Sequence, residues 1–156
     1  MERNVLIQAM KHSISEVLET MFFLPVECFD SIATETLWSE EEDRPTVALL
    51  NFYGPFSGSF YLLVPQGLAL YLTAKFLGSE AADISQDHVE ETAKELVNMI
   101  AGNTFTIFDD RVTFDLGIPK WIPHDQVKPA SNPENDIFIE IRALENSLAV
   151  RMVLDD

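Results

Sequence analysis

Thr46–Gly78 reads TVALLNFYGPFSGSFYLLVPQGLALYLTAKFLG, and it holds two kinds of local order in succession. Thr46–Tyr53 and Ser57–Val64 are crowded with aliphatic, β-branched and aromatic residues on either side of Gly54-Pro55, the composition of two strands joined as a hairpin. Pro65-Gln66-Gly67 interrupts the run, and Gly67–Leu77 continues as a short, largely buried helix closed by Gly78. Phe60–Leu77 is the longest apolar stretch of the chain. The break at Pro65–Gly67 and the charge of Lys75 make it strand, turn and helix rather than a membrane span.

Outward from this stretch the same alternation continues. Before it, Val5, Leu6, Met10, Ile14, Val17, Leu18 and Met21 recur at helical spacing, which predicts a first helix over residues 2–21. Pro25 is expected to end that helix, with an extended segment through Val26, Cys28 and Phe29 after it. Ser39–Arg44 reads as a solvated acidic turn. After the stretch, the longest helix is expected from Ser85 to Phe108, with Ser85 as N-cap and Asp87, Glu90 and Glu91 at the positive end of its dipole. Val112–Leu116 reads as a strand stopped by Gly117 and Pro119, and Pro123–Asp136 as a loop. Ile137–Leu144 and Ser147–Leu154 close the chain as a hairpin around Glu145-Asn146. Strands arriving in hairpins with helices between the pairs predict an α+β domain, its mainly antiparallel sheet carrying long helices on one face. No linker or low-complexity segment divides the sequence, so residues 1–156 form a single domain. One internal echo is present, Glu16–Met21 (EVLETM) against Glu95–Ile100 (ELVNMI), which similarity between two amphipathic helices explains as well as a duplication does.

The charge limits the partners. Ten Lys and Arg face 26 Asp and Glu, a net −16, with the basic residues scattered along the chain. Such a field repels a phosphate backbone, so no nucleic-acid partner is expected. The start of the chain lacks a signal-peptide apolar block, and the one cysteine, Cys28, precludes an internal disulfide, so a cytoplasmic protein without a membrane partner is expected.

On the long helix, Glu91, Glu95, Asn98 and Gly102 stand at i, i+4, i+7 and i+11, within an arc of roughly 60°. Ala93, Leu96 and Ile100 point the opposite way with Val89 near them, so the four share an outward stripe. Solvated stripes are usually built from Lys, Glu, Gln or Ala, whereas mid-helix Asn and Gly are poor helix formers and Glu91 and Glu95 are like charges one turn apart. Gly102 removes bulk where another surface could approach.

Glu95-Leu96-Val97-Asn98-Met99-Ile100-Ala101-Gly102-Asn103 resembles the signature helix of the CheC/CheX/FliY phosphatases, in which Asp or Ser precedes Glu-x-x-Asn and a proline follows downstream. Glu91 takes the first position, and Pro119 in Asp115-Leu116-Gly117-Ile118-Pro119 takes the last, one residue earlier than usual. Gly58-Ser59-Phe60 and Leu68–Gly78 resemble the family's strand and preceding helix. The first helix carries Glu19 where a second Asn would be needed, which resembles the single-site CheX type rather than the two-site CheC type.

The resemblance implies a CheX-like fold and an aspartyl-phosphate phosphatase acting on a phosphorylated CheY-like response regulator, with the chain itself a homodimer. It implies that Glu95 pairs with the regulator's active-site lysine. Phosphoryl transfer of this kind is catalysed mostly by positioning and electrostatics, and a neutral carboxamide both accepts from water and donates to phosphoryl oxygens. Asn98 is therefore the candidate for orienting the attacking water, and Glu95 and Asn98 are the catalytic pair, with Glu91, Gly102 and Pro119 as binding residues. The chain is expected to need no metal or other cofactor of its own, Mg²⁺ belonging to the regulator. A competing reading is a non-catalytic docking module for a response regulator or flagellar switch, in which Asn98 is freely replaceable. Glu40–Asp43, Asp109-Asp110 and Asp155-Asp156 show no calcium-loop spacing, and His12, His88 and His124 no mutual metal spacing. Neither a glycine-rich phosphate loop nor a Gly-x-Ser-x-Gly elbow is present. Trp38 and Trp121 are expected to pack, Trp121 being also a candidate to flank the site, and Arg142 and Arg151 to form ion pairs.

Overall fold

The computed structural model describes residues 2–30, 44–127 and 132–155; Trp38 and, apart from Arg44, the acidic turn fall outside them. Among the described residues lie three α-helices, α1 (Arg3–Phe22), α2 (Gln66–Leu77) and α3 (Gln86–Phe108), and seven strands. The strands are β1 (Glu27–Asp30), β2 (Pro45–Tyr53), β3 (Gly58–Pro65), β4 (Asp115–Leu116), β5 (Lys120–Ile122), β6 (Asp136–Ala143) and β7 (Asn146–Leu154). They form one antiparallel sheet in the order β1-β6-β7-β3-β2-β4, with β5 also on the outer edge of β2.

The period-two pattern decides which side chains face the helices. Ala48, Leu50 and Phe52 of β2, Phe60, Leu62 and Val64 of β3, Ile137, Ile139 and Ile141 of β6, and Leu148, Val150 and Met152 of β7 join one core with Leu6, Met10, Ile14 and Leu18 of α1 and the buried face of α3. The helices thus cover one face of the sheet, as the hairpin pattern predicts. The opposite face holds a smaller cluster of Val47, Tyr61, Leu63, Phe138 and Ala149. Beside it Arg151, buried, forms a two-pronged ion pair with Asp136 (2.8 and 2.9 Å), the fork geometry that suits guanidinium. Arg142 reaches Glu140 at 3.6 Å, so both arginines find carboxylates.

Three local readings are corrected. The expected strand Val112–Leu116 is ordered as a strand at Asp115–Leu116 alone, while Lys120–Ile122, unassigned by sequence, pairs with Val47–Leu49. Three residues between Pro119 and Pro123 are too few to display an alternation; their pairing comes from the neighbouring edge. The last hairpin turns at Leu144-Glu145, both at positive φ (53° and 69°), one residue before the expected tip, because Ala143 pairs with Asn146. Finally, α1 stops at Phe22 before Pro25 acts. Phe23 adopts φ 52°, and the N–H groups of Phe23 and Leu24 donate back to the Glu19 and Leu18 carbonyls (3.1 and 3.2 Å). The segment expected as a loop from Pro123 contains short 3₁₀ turns at His124–Gln126 and Pro133–Asn135.

The topology has an exchange in it. The strand after α1, β1, pairs with β6 of the second hairpin, and the strands after α3, β4 and β5, pair with β2 of the first. The echoed segments Glu16–Met21 and Glu95–Ile100 therefore lie on helices in corresponding places of the chain order. Glu16 and Glu19 stand where α3 has Glu95 and Asn98.

Candidate active site

Packing holds α3 in place from end to end. At its start, Ser85 Oγ accepts from the His88 N–H while His88 Nδ1 accepts from the Ser85 N–H (3.2 and 3.1 Å), a reciprocal cap. In the middle, the buried Ser13 hydroxyl of α1 donates to the Ile100 carbonyl (2.8 Å) and fixes the register of the two helices. At the end, Phe105 stacks on Phe114 with centroids 4.3 Å apart, and Phe52 and Phe56 close around them. Such pairs contribute about 0.5–1.5 kcal/mol each beyond area burial. A Cβ on Gly54 would lie 2.6 Å from the Phe114 ring, so the hairpin tip must be glycine for the ring to reach this cluster.

Val89, Thr92, Ala93, Leu96, Val97, Ile100, Ala101, Thr104 and Phe105 form the buried side of α3, which leaves the expected stripe outward. Glu91 and Glu95 are exposed, and Asn98 and Gly102 are half-buried. The two glutamates differ in their surroundings. Lys94 Nζ holds Glu91 Oε1 at 2.7 Å, an i,i+3 pair. Among the described residues, the side chains of Glu95 and Asn98 make no hydrogen bond or ion pair, so a carboxylate and a carboxamide stand one helical turn apart with their polar groups available to a partner.

The connection between β4 and β5 walls this stripe on one side. Leu116 Cδ1 lies 3.7 Å from the place a Cβ on Gly102 would take, ordinary contact, so nothing within the chain requires glycine there. Pro119, Lys120 and Trp121 border an open cleft with Asp87, Glu90, Glu91 and Lys94. Pro119 and Trp121 thus share a cleft with Glu91, and Glu95 and Asn98 do not line it. Sequence reasoning passed over Lys94, although its i,i+3 spacing from Glu91 is a legible signal, and passed over Lys120, whose nearness to α3 is set by sheet pairing. The remaining polar candidates lie elsewhere: His88 is spent in the cap, and burial, only partly offset by the Ser15 hydroxyl and Lys11, pushes the Cys28 thiol up. Among the described residues no three His, Cys, Asp or Glu side chains gather as a metal site, and no helix is long and apolar enough to cross a membrane.

Comparison with known proteins meets this geometry. The chain is similar in fold to a CheC-like superfamily protein from Shewanella sp. PV-4 (TM-score 0.78, 19% identity, all of both chains covered). It is similar to the chemotaxis protein CheX from Vibrio vulnificus (TM-score 0.77, 19% identity, 96% of each chain). It is also similar to CheX in the CheX–CheY–BeF₃–Mg²⁺ complex from Borrelia burgdorferi (TM-score 0.72, 16% identity, 97% of this chain and 98% of that one). At these identities the likeness speaks for the fold. Comparison with curated protein sequences gives no match. The family model of chemotaxis phosphatase CheX matches residues 46–142, a span that contains the first hairpin from Thr46 on, all of α2 and α3, and the connection through Pro119. The chain belongs to the CheX family of chemotaxis phosphatases.

Proposed function

We propose that this chain hydrolyses the phospho-aspartate of a CheY-like response regulator, Asn98 orienting the attacking water and Glu95 engaging the regulator's active-site lysine. The observation that carries the reading is the pairing of an unengaged carboxylate and an unengaged carboxamide one turn apart on the outward face of α3. Membership of the CheX family supports it, as does the Borrelia burgdorferi relative, whose structure is a complex with CheY.

The chemistry follows from what the regulator lacks. Its Mg²⁺ and lysine already neutralise the phosphoryl oxygens; a water held in line with the breaking bond is missing. The Asn98 carbonyl accepts from that water and its NH₂ donates to a phosphoryl oxygen. The water oxygen bonds to phosphorus, the aspartyl C–O–P link breaks at the O–P bond, and inorganic phosphate leaves the free carboxylate. A carboxylate at position 98 would repel the phosphoryl group. Glu95 pairs with the lysine and so fixes where the amide falls. No nucleophile or metal of this chain enters the reaction, and Mg²⁺ is supplied by the partner.

The test is a panel of receiver domains from the host, phosphorylated with acetyl phosphate, each followed for phosphate loss with and without the protein. Faster loss from at least one supports the reading. Tight binding of a receiver with no acceleration replaces it with a docking module.

A further inference from the structure

Between its two flanking contacts, the β4–β5 connection carries an unusual residue. Leu116 packs beside Gly102, and Pro119 shares a cleft with Glu91 and Lys94. The four residues from 116 to 119 therefore bridge from the Gly102 end of the stripe to this cleft, the span of α3 that includes Asn98 and Glu95. Ile118 lies in this passage and is 83% exposed. Its backbone is also restrained. The Gly117 N–H donates to the Asn51 carbonyl at 2.7 Å, a Cβ on Gly117 would come within 3.1 Å of that oxygen, and Pro119 biases Ile118 itself toward extended conformations.

We infer that Ile118 is a preorganised apolar anchor for the receiver domain, seating on the surface that surrounds its phospho-aspartate. This rests on the phosphatase reading: an amide that positions water at phosphorus needs the receiver's surface against this stripe, and a ridge alongside it is then covered by the same partner. A residue whose backbone is already restrained loses less entropy on docking than one on a free loop, and burying its side chain contributes by area. Isoleucine offers no polar atom to the reacting groups, so its effect falls on binding and not on the chemical step.

The experiment uses the receiver domain that the wild-type protein dephosphorylates fastest, charged with acetyl phosphate, and measures kcat and KM for wild type, Ile118→Ser and Phe23→Ser. Phe23, 82% exposed at the end of α1, is outside the cleft beside α3 and controls for loss of an exposed apolar side chain. The expected result is a KM raised about tenfold or more for Ile118→Ser with kcat within about twofold, and both constants unchanged for Phe23→Ser. An unchanged KM, or a fall in kcat alone, overturns the anchor while leaving the phosphatase reading intact. Failure of wild type to accelerate phosphate loss from any receiver overturns that reading and the anchor with it.

Discussion

Glu91 and Glu95 stand one turn apart on the same helix face, yet Lys94 occupies the first and nothing in the described chain occupies the second. This difference separates a surface ion pair from a carboxylate without a partner among the described residues, the one proposed to engage the regulator's lysine. Exposed i,i+3 pairs stabilise a helix by about 0.2–0.5 kcal/mol, so Glu91→Gln should lower stability by no more than that in a urea titration and leave the phosphatase rate near wild type. Glu95→Gln keeps the shape and removes the charge. Loss of a charge-assisted contact with a lysine is worth about 1.5–3 kcal/mol, and receiver binding followed by calorimetry should weaken about tenfold or more. Equal effects of the two substitutions would contradict the assignment. At this scale the sequence was informative, because helical spacing alone puts Glu95, Asn98 and Gly102 on the outward face and Leu96 and Ile100 in the core. It was silent on Ile118, since the exposure of a lone isoleucine between Gly117 and Pro119 depends on where the sheet edge lies.

Gly102 belongs to the scale of the helix. Its place beside Leu116 accepts a Cβ at ordinary distance, and glycine within a helix costs about 0.5–1 kcal/mol relative to alanine. Gly102→Ala should therefore raise the unfolding free energy by about that amount while raising KM for the phosphorylated receiver, if the missing side chain serves close approach. A stabilised variant with unchanged KM would make Gly102 a plain defect of the helix. The long, periodic elements α1, α2 and α3 and both hairpins were legible because each displays its own period over many residues. The two-residue β4 and three-residue β5 were not, because their strand character comes from the edge of β2. The tip of the last hairpin slipped by one residue for a related reason. Leu144 and Glu145 lack the Asn-Gly chemistry that marks a turn, and the register of β6 on β7 puts them at positive φ.

Over the whole molecule, the order β1-β6-β7-β3-β2-β4 joins residues 27–30 to 139–142, a pairing that local pattern cannot contain. The outer edge of β2 is taken by β4 and β5, which leaves β1 as the other edge of the sheet among the described residues. A homodimer formed through that edge would keep the α3 stripe open. The homodimer that the CheX resemblance implies is proposed to form there, so light scattering should give a mass near twice 17.6 kDa, and a monomer mass at micromolar concentration would count against pairing by sheet edges.

The central claim, that Asn98 positions water, is tested most directly by single-turnover phosphate loss from the cognate receiver under saturating wild-type or Asn98→Ala protein. Circular dichroism would confirm the fold, and calorimetry the binding. The account predicts retained binding with a rate lower by about 10²-fold or more, as for removal of a key positioning group. A variant that binds and dephosphorylates as fast as wild type would contradict it.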